Sequence, residues 1–372
     1  MISTKPNLKP LIKWPGGKSK LISKIEDFVP KNFERYIEPF VGGGALYFHL
    51  NFTPSVINDI NENLISFYNL IKSNNKKFKN YLYLIANTWD NLDNILPIEE
   101  LLVEEIKNDI NIDILPKLIK SYLQKYKNSF EDIFLSKWAN FEEHISRSII
   151  DKIKKLKSKL GILIKKANKN FLEEYKEQIL TAKRAGFYYF FRDIVNDISY
   201  KNKNLELYIS SYIFVREYCF GSMFRYSKSG KFNIPYGGKA YNKKSFRKKV
   251  NYMFSYIVTD LLKNTEIYNL DFRDFFKNFQ ISDKDFLFID PPYLSEFCNY
   301  ENKHFKEKDH VDLVNILNSL KCMYLVIVEY NCFSKKIYLN LKGEKYFLKD
   351  KYTYSVRGRN NRDVTYLLIL KI

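Results

Sequence analysis

Tyr36-Ile-Glu-Pro-Phe-Val-Gly-Gly-Gly-Ala-Leu-Tyr-Phe-His-Leu50 is the stretch on which the fold turns. Tyr36–Phe40 reads as a short buried strand, Val41–Gly44 as a turn and Ala45–Leu50 as a helix. A strand that runs through glycines into a helix starts a βα unit. Glycines at such a corner permit positive φ and let a ligand approach the backbone at the helix N-terminus. By itself the pattern serves a dinucleotide, a phosphate or simple tight packing. It is not G-x-G-x-x-G, which argues against a nicotinamide cofactor.

Working outward, Leu21–Asp27 reads as a helix, Ser55–Asn58 as a second strand and Asn63–Lys72 as the helix after it. Residues 71–210 are expected to be mostly helical, since Leu and Ile recur at helical spacing and Gly161 and Gly186 are the only glycines there. Residues 211–250 break that pattern with Gly221, Gly230, Gly237 and Gly238, and Met223–Ile234 reads as a β-hairpin turning near Ser229-Gly230. Buried strands return at Glu266–Leu270, Phe286–Ile289 and Tyr324–Val328, with a further strand at Val364–Leu370. The expected fold is therefore α/β, a doubly wound sheet from residues 1–72 and 255–372, interrupted over 73–254 by a mainly helical insert that carries the hairpin.

The chain has 372 residues with 61 Lys+Arg against 42 Asp+Glu, a formal net charge of +19. A charge this basic favours a polyanionic partner, nucleic acid first. The bland alternative is AT-rich coding, which enriches Lys, Asn, Ile, Tyr and Phe with no binding role. The distribution argues for the former: Tyr218 to Thr259 contains no Asp or Glu, while Arg225, Lys228, Lys231, Lys239, Lys243, Lys244 and Arg247 alternate with Phe220, Phe224, Tyr226, Phe232, Tyr236 and Tyr241. Cations for phosphates beside flat rings for bases suit a nucleic-acid surface. A second basic run, Lys152–Lys169, lies in a helical pattern whose lysines fit solvent or phosphate equally well. No apolar run approaches the roughly 20 residues of a membrane span. Met1–Leu11 lacks a signal-peptide core, so a cytoplasmic address is expected. Cys219, Cys298, Cys322 and Cys332 lack C-x-x-C spacing, so no metal site is expected.

Three motifs carry chemistry. Glu38–Gly44 is followed by Asn58-Asp-Ile-Asn61, with Asp59 17 residues after Gly42. An acid ending the second strand of a doubly wound sheet, roughly 20 residues past the glycines, can hold a ribose diol; Asp59 could equally cap the helix that follows. Asp290-Pro-Pro-Tyr293 comes straight after a buried strand. Pro291 and Pro292 fix two φ angles and withhold two N–H donors, so carbonyls there remain as acceptors. One carboxylate, one carbonyl and the Tyr293 ring suit a planar amine; the alternative is a plain strand-ending turn. Lys13-Trp-Pro-Gly-Gly-Lys18 adds a ring, two ammoniums and two glycines, and alone could be an ordinary turn with an anchored Trp.

Taken in this order, K-W-P-G-G-K, E-P-F-V-G-G-G, N-D-I-N and F-I-D-P-P-Y resemble the Dam-type (class α, D12) DNA adenine-N6 methyltransferases. Phe187–Asp193 resembles the family's aromatic-Arg-Asp helix and Cys219–Gly237 its recognition hairpin; Phe297, Tyr300, Phe305 with Asp309-His310, and Arg357 and Arg362, resemble its later segments. The resemblance covers about residues 10–72 and 184–370. It implies a Rossmann-like methyltransferase sheet that transfers a methyl group from S-adenosylmethionine to N6 of an adenine flipped out of duplex DNA. It places Trp14, Lys18, Glu38, Phe40, Gly42, Gly44, Asp59, Ile60 and Asp290 around the cofactor. Asp290, Pro291, Pro292 and Tyr293 would serve the target adenine. Lys13, Met223, Arg225, Lys228, Asn233 and Pro235 would face DNA, with Arg225 reading guanine in a GATC-like site. It further implies no metal, activity as a monomer and, in restriction-modification systems, a cognate endonuclease. The sequence departs from the family at Gly221, Ser222 and Ser227, at Val328-Glu-Tyr-Asn331 and in the length of the insert. Rival readings are an RNA adenine methyltransferase and a non-enzymatic DNA-binding protein. Protein-glutamine and cytosine-N4 enzymes typically carry Asn or Ser in place of Asp290.

Overall fold

The structure, a computed structural model, describes residues 6–107, 111, 113–163, 169–222, 225–293, 305–354 and 360–372. The chain divides into two compact units, Met1–Asn75 with Tyr252–Ile372, and Lys76–Asn251.

The first unit is built on a sheet of seven strands: β1 (Arg35–Glu38), β2 (Ser55–Asn58), β3 (Thr265–Tyr268), β4 (Asp285–Ile289), β5 (Met323–Glu329), β6 (Glu344–Tyr354) and β7 (Asn360–Lys371). Their order is β3-β2-β1-β4-β5-β7-β6. The first five in chain order run parallel, with Ile37 opposite both Val56 and Leu287. β7 pairs antiparallel with β5, and β6 antiparallel with β7. Tyr36, Ile37, Val56, Ile57 and Phe286–Ile289 are buried on both faces, which is why these strands read as apolar runs rather than as alternating ones. From β1 the chain moves outward through β2 to β3, then returns to lay β4 on the other side of β1. β1 and β4 therefore flank the point where winding reverses, and ligands of open α/β sheets sit at the carboxyl ends of strands there. Those ends are Glu38–Gly44 and Asp290–Tyr293.

β6 was not foreseen. It is an edge strand in which lysines and acids flank the short run Tyr346-Phe-Leu348, so no long apolar run announces it. The other strands and the helices Ala45–Leu50 and Glu62–Lys72 lie within a few residues of their expected bounds.

The second unit is mostly helical, with long helices at Lys76–Asp90, Trp138–Leu163, Lys169–Asn196 and Leu205–Tyr218. Its core is aromatic: Trp89 lies against Tyr218 (4.4 Å between ring centroids), and Phe187 and Phe191 lie against Phe214. Gly186 allows the two longest helices to meet, because a Cβ there would stand 2.7 Å from the Ile145 Cα. The hairpin belongs to this unit. Among the described residues it is held by two isolated bridges, Cys219 to Tyr236 and Tyr226 to Phe232, and no extended strand. Its turn closes with Gly230 N–H donating to the Ser227 carbonyl (2.9 Å), Gly230 having φ of 75°. The returning arm alternates: Phe232, Ile234 and Tyr236 are buried, while Lys231, Asn233 and Pro235 are exposed.

Candidate active site

The N-terminal motif folds as its residues dictate. Pro15 presets φ for the second position of a type II turn and Gly16, at φ 73°, takes the third, where only a residue without Cβ sits easily. The Gly17 N–H donates to the Trp14 carbonyl at 3.1 Å and closes the turn. Trp14 is thereby set against the glycine corner after β1, where a Cβ on Gly42 would come within 2.7 Å of its Cδ1. Gly42 and Gly44 take φ of 47° and 65°. A cavity of ≈ 240 Å³ borders Lys13, Trp14, Gly17, Ser19 and Gly43.

Asp59 ends its part of this corner with a defined task. Its Oδ2 accepts from the Gly42 N–H (2.9 Å) and its Oδ1 from the Asn61 N–H (2.9 Å). The reading of Asp59 as the cap of the next helix is corrected: Asn61 is the N-cap, its Oδ1 accepting from the Leu64 N–H at 3.0 Å. Asn58, which the sequence places in the Asn58–Asn61 motif without a role of its own, ties three loops together. Its Nδ2 donates to the Pro39 and Leu270 carbonyls (3.0 and 3.1 Å), and its Oδ1 accepts from the Leu270 N–H (2.9 Å). An amide at the end of a fully buried strand was the available signal, since a buried polar side chain must find partners.

Glu38 is buried at the end of β1, its Oε2 accepting from the Tyr36 hydroxyl at 2.7 Å. Burial holds its carboxyl well above the usual range, and the charges of Asp290 and Asp59 push the same way. Phe40 packs on Phe272 and Phe305, with ring centroids 5.6 and 5.7 Å apart. Ile60 lies exposed beside Asp59.

At the end of β4, Asp290 accepts from Lys18. The Lys18 Nζ donates to both carboxylate oxygens at 2.8 Å and to the Gly16 carbonyl at 2.7 Å. The Tyr293 hydroxyl donates to Asp290 Oδ1 at 3.3 Å, and the Lys18 Nζ lies 4.6 Å from the Tyr293 ring centroid. Burial raises the Asp290 carboxyl, with Lys18 and Tyr293 opposing it. Burial and the Asp290 charge together push the Tyr293 phenol well up. Pro291 is buried and Pro292 exposed. The structure thus brings Lys18 onto Asp290, where the sequence had suggested only that both lie near a cofactor. Glu329 ends β5, and its charge bears on Tyr293.

In the second unit, Arg225, Lys228, Asn233 and Pro235 are all exposed on the hairpin. The Arg225 Nε donates to Asn233 Oδ1 at 3.3 Å, so the two outward side chains are joined across the arms. Met223 lies outside the described residues, as do Phe297 and Tyr300. Behind the hairpin stands a polar ladder that sequence reasoning did not find. Tyr188, Arg192 and Asn196 follow one another at i, i+4 and i+8 on the helix Lys169–Asn196. The first two donate to the Ile234 carbonyl (2.9 and 3.4 Å). Asn196 donates to the Phe232 carbonyl (3.0 Å) and accepts from the Phe232 N–H (2.7 Å).

Among the described residues no group of three or more His, Cys, Asp and Glu could hold a metal ion, and no helix is long and apolar enough to cross a membrane.

An open α/β sheet with a glycine corner, a Pro-Pro turn and a buried acid at its point of reversal presents a candidate ligand site there. The family model for D12 class N6 adenine-specific DNA methyltransferases matches residues 14–355, and the chain belongs to that family. It is 26% identical to the type II methyltransferase M.MjaIII of Methanocaldococcus jannaschii, over 98% of both chains. Against the type II methyltransferase M.CviBI of Paramecium bursaria Chlorella virus NC1A, identity is 24% over 97% of this chain and 99% of that one. The DNA adenine methylase of Escherichia coli K12 is 43% identical over 61 residues, 16% of this chain and 22% of that protein. The protein is an adenine-specific DNA methyltransferase.

Proposed function

We propose that the first unit binds S-adenosylmethionine and methylates N6 of an adenine flipped out of duplex DNA, and that the hairpin of the second unit reads the site, a GATC-like sequence being the first to test. The observation that carries this reading is the position of Asp290 and Tyr293: both stand at the sheet's point of reversal, across from the glycine corner that backs Trp14.

The residues present fit the cofactor. Trp14 packs so closely on Gly42 and Gly43 that a Cβ on either would stand within 3.0 Å of it, so the glycines let the indole sit there as a flat wall. Asp59, oriented by two backbone N–H groups, is the kind of acceptor that ribose hydroxyls need. S-adenosylmethionine would supply an electrophilic methyl group. The protein's part is to make the target amine a nucleophile. Its lone pair is delocalised into the purine, and acceptors at Asp290 and the Pro291 carbonyl would draw the N–H bonds out of the ring plane and localise it. The same acceptors favour the positive charge that develops on nitrogen. Tyr293 offers the flipped base a stacking face in return for the few kcal/mol that unstacking costs. Holding amine and methyl in line supplies much of the remaining acceleration.

The test uses the full chain, duplex DNA and labelled S-adenosylmethionine. Wild type should form N6-methyladenine in DNA. Asp290→Ala should lower single-turnover transfer by about 10²–10³-fold while still binding cofactor and duplex. Transfer at the wild-type rate in that variant, or label found only in RNA or protein, would overturn the reading.

A further inference from the structure

We propose that Lys18 is a positioning residue that holds Asp290 as an anion and occupies, before substrate arrives, the carboxylate acceptor the target amine will use. The inference rests on the role given to Asp290 above.

Lys18 is 4% exposed, and its ammonium has three N–H donors. They go to Asp290 Oδ1, Asp290 Oδ2 and the Gly16 carbonyl, so all are used within the site. The Tyr293 ring lies close below the ammonium at 4.6 Å. Both elements that would receive a planar amine, the carboxylate and the ring, are therefore already contacted by a cation. An entering amine competes with Lys18 for the same oxygens. Lys18 can yield one of them without being stranded, because the Gly16 carbonyl and the ring face remain to it. The type II turn through Pro15 and Gly16 sets this geometry from the far end of the chain, 272 positions away.

The charge balance around Asp290 gives Lys18 its weight. From the N-terminal loop comes Lys18; from its own turn, the Tyr293 hydroxyl. Glu38 stands at the end of β1 with Tyr36 beside it, close enough for the Asp290 charge to bear on its carboxyl. Glu329, at the end of β5, and Tyr366 bear on Tyr293. Among the described residues, Lys18 is the cation that bears on Asp290. Burial drives Asp290 toward its neutral form, and Lys18 is the main opposing influence. A protonated Asp290 would present a donor to the target amine where an acceptor is needed.

Single-turnover methyl transfer by Lys18→Met, Lys18→Gln and Lys18→Arg should be followed from about pH 5 to about pH 9 at saturating cofactor and duplex. Cofactor and DNA binding are measured separately. In Met and Gln variants the acid limb should move upward by about one pH unit or more, because Asp290 loses its counterion. Plateau rates should fall about tenfold, with the cofactor dissociation constant changed by less than about threefold. Lys18→Arg, which keeps the charge, should leave the acid limb where wild type has it. Parallel loss at every pH, a loss lying wholly in cofactor affinity, or an Arg variant that shifts as far as the Met variant would each overturn the proposal. Asp290→Ala tells the two readings apart. If that variant is active, the assignment of the site falls. If it is inactive while the Lys18→Met acid limb is unmoved, only the role of Lys18 falls.

Discussion

Glu38 is a carboxyl that burial and neighbouring acids drive toward its neutral form, against the hydrogen bond from Tyr36, which favours the anion. It is 2% exposed, takes a hydrogen bond from Tyr36, and lies within reach of the charges on Asp290 and Asp59. Its pKa in the folded protein is raised well above the ordinary value, first by burial. A folded-state pKa above the unfolded one contributes stability that is complete below the unfolded pKa and is lost as pH rises through the folded one. Glu38→Gln, an uncharged residue of the same shape, removes that contribution. Its urea midpoint should therefore fall less than that of wild type between acid and neutral pH, and identical pH dependence in the two proteins would count against the assignment. The same residues mark what sequence could reach. The glycine corner at Gly42 and the strand-ending turn at Asp290–Tyr293 were legible as backbone features, because glycine and proline act on the backbone where they stand. The pairing of Lys18 with Asp290 was not, since it depends on a hydrogen bond between opposite ends of the chain. For Asp59 the sequence allows a ribose ligand or a helix cap, and its neighbour Asn61 takes the cap.

At the scale of elements, the buried parallel strands stood out as apolar runs because both their faces are covered. β6, at the edge, carries lysines and tyrosines on a half-wetted strand and gave no such signal. The hairpin was legible from Ser229-Gly230, but what holds it was not. Among the described residues two isolated bridges join its arms, and the helix behind adds further bonds to the returning arm. Asn196 makes a two-way bond to Phe232, and Tyr188 and Arg192 bond Ile234; this keeps the alternation that turns Lys231, Asn233 and Pro235 outward. A one-residue slip in such an arm would exchange inward and outward faces. Asn196→Ala leaves a backbone donor and acceptor unpaired, at a cost of about 1–3 kcal/mol. The expected outcome is weaker discrimination between cognate and altered sites, by about tenfold, with cofactor affinity unchanged. Competition binding with cognate and single-mismatch duplexes measures the first, and calorimetry with cofactor alone the second. Unaltered discrimination would mean that the hairpin keeps its register without the ladder.

For the whole molecule the charge of +19 poses one question: which of its lysines meet DNA phosphates. Each phosphate neutralised contributes roughly −0.9 to the slope of log affinity against log salt, so the slope counts contacts whatever their location. Two basic regions compete. The stretch from Tyr218 to Thr259 has no acid and presents Arg225 and Lys228 on an exposed hairpin. The helix Trp138–Leu163 carries lysines too, but intersperses Glu142, Glu143 and Asp151, and its Lys152 donates to Gln178 within the same unit at 3.0 Å. Acids on the same helix cancel part of the field that would draw a polyanion. Lys228→Gln should then weaken binding evenly across sequences and lower the salt slope by about one. Arg225→Ala should also relax preference at one base, by about 1–3 kcal/mol. Lys154→Gln, on the helix, should leave the slope unchanged. Fluorescence anisotropy with labelled duplex at several salt concentrations measures all three. If Lys154→Gln lowers the slope as far as Lys228→Gln does, the helical insert is itself a DNA-binding surface, and its basic run is more than the residue bias of an AT-rich coding sequence.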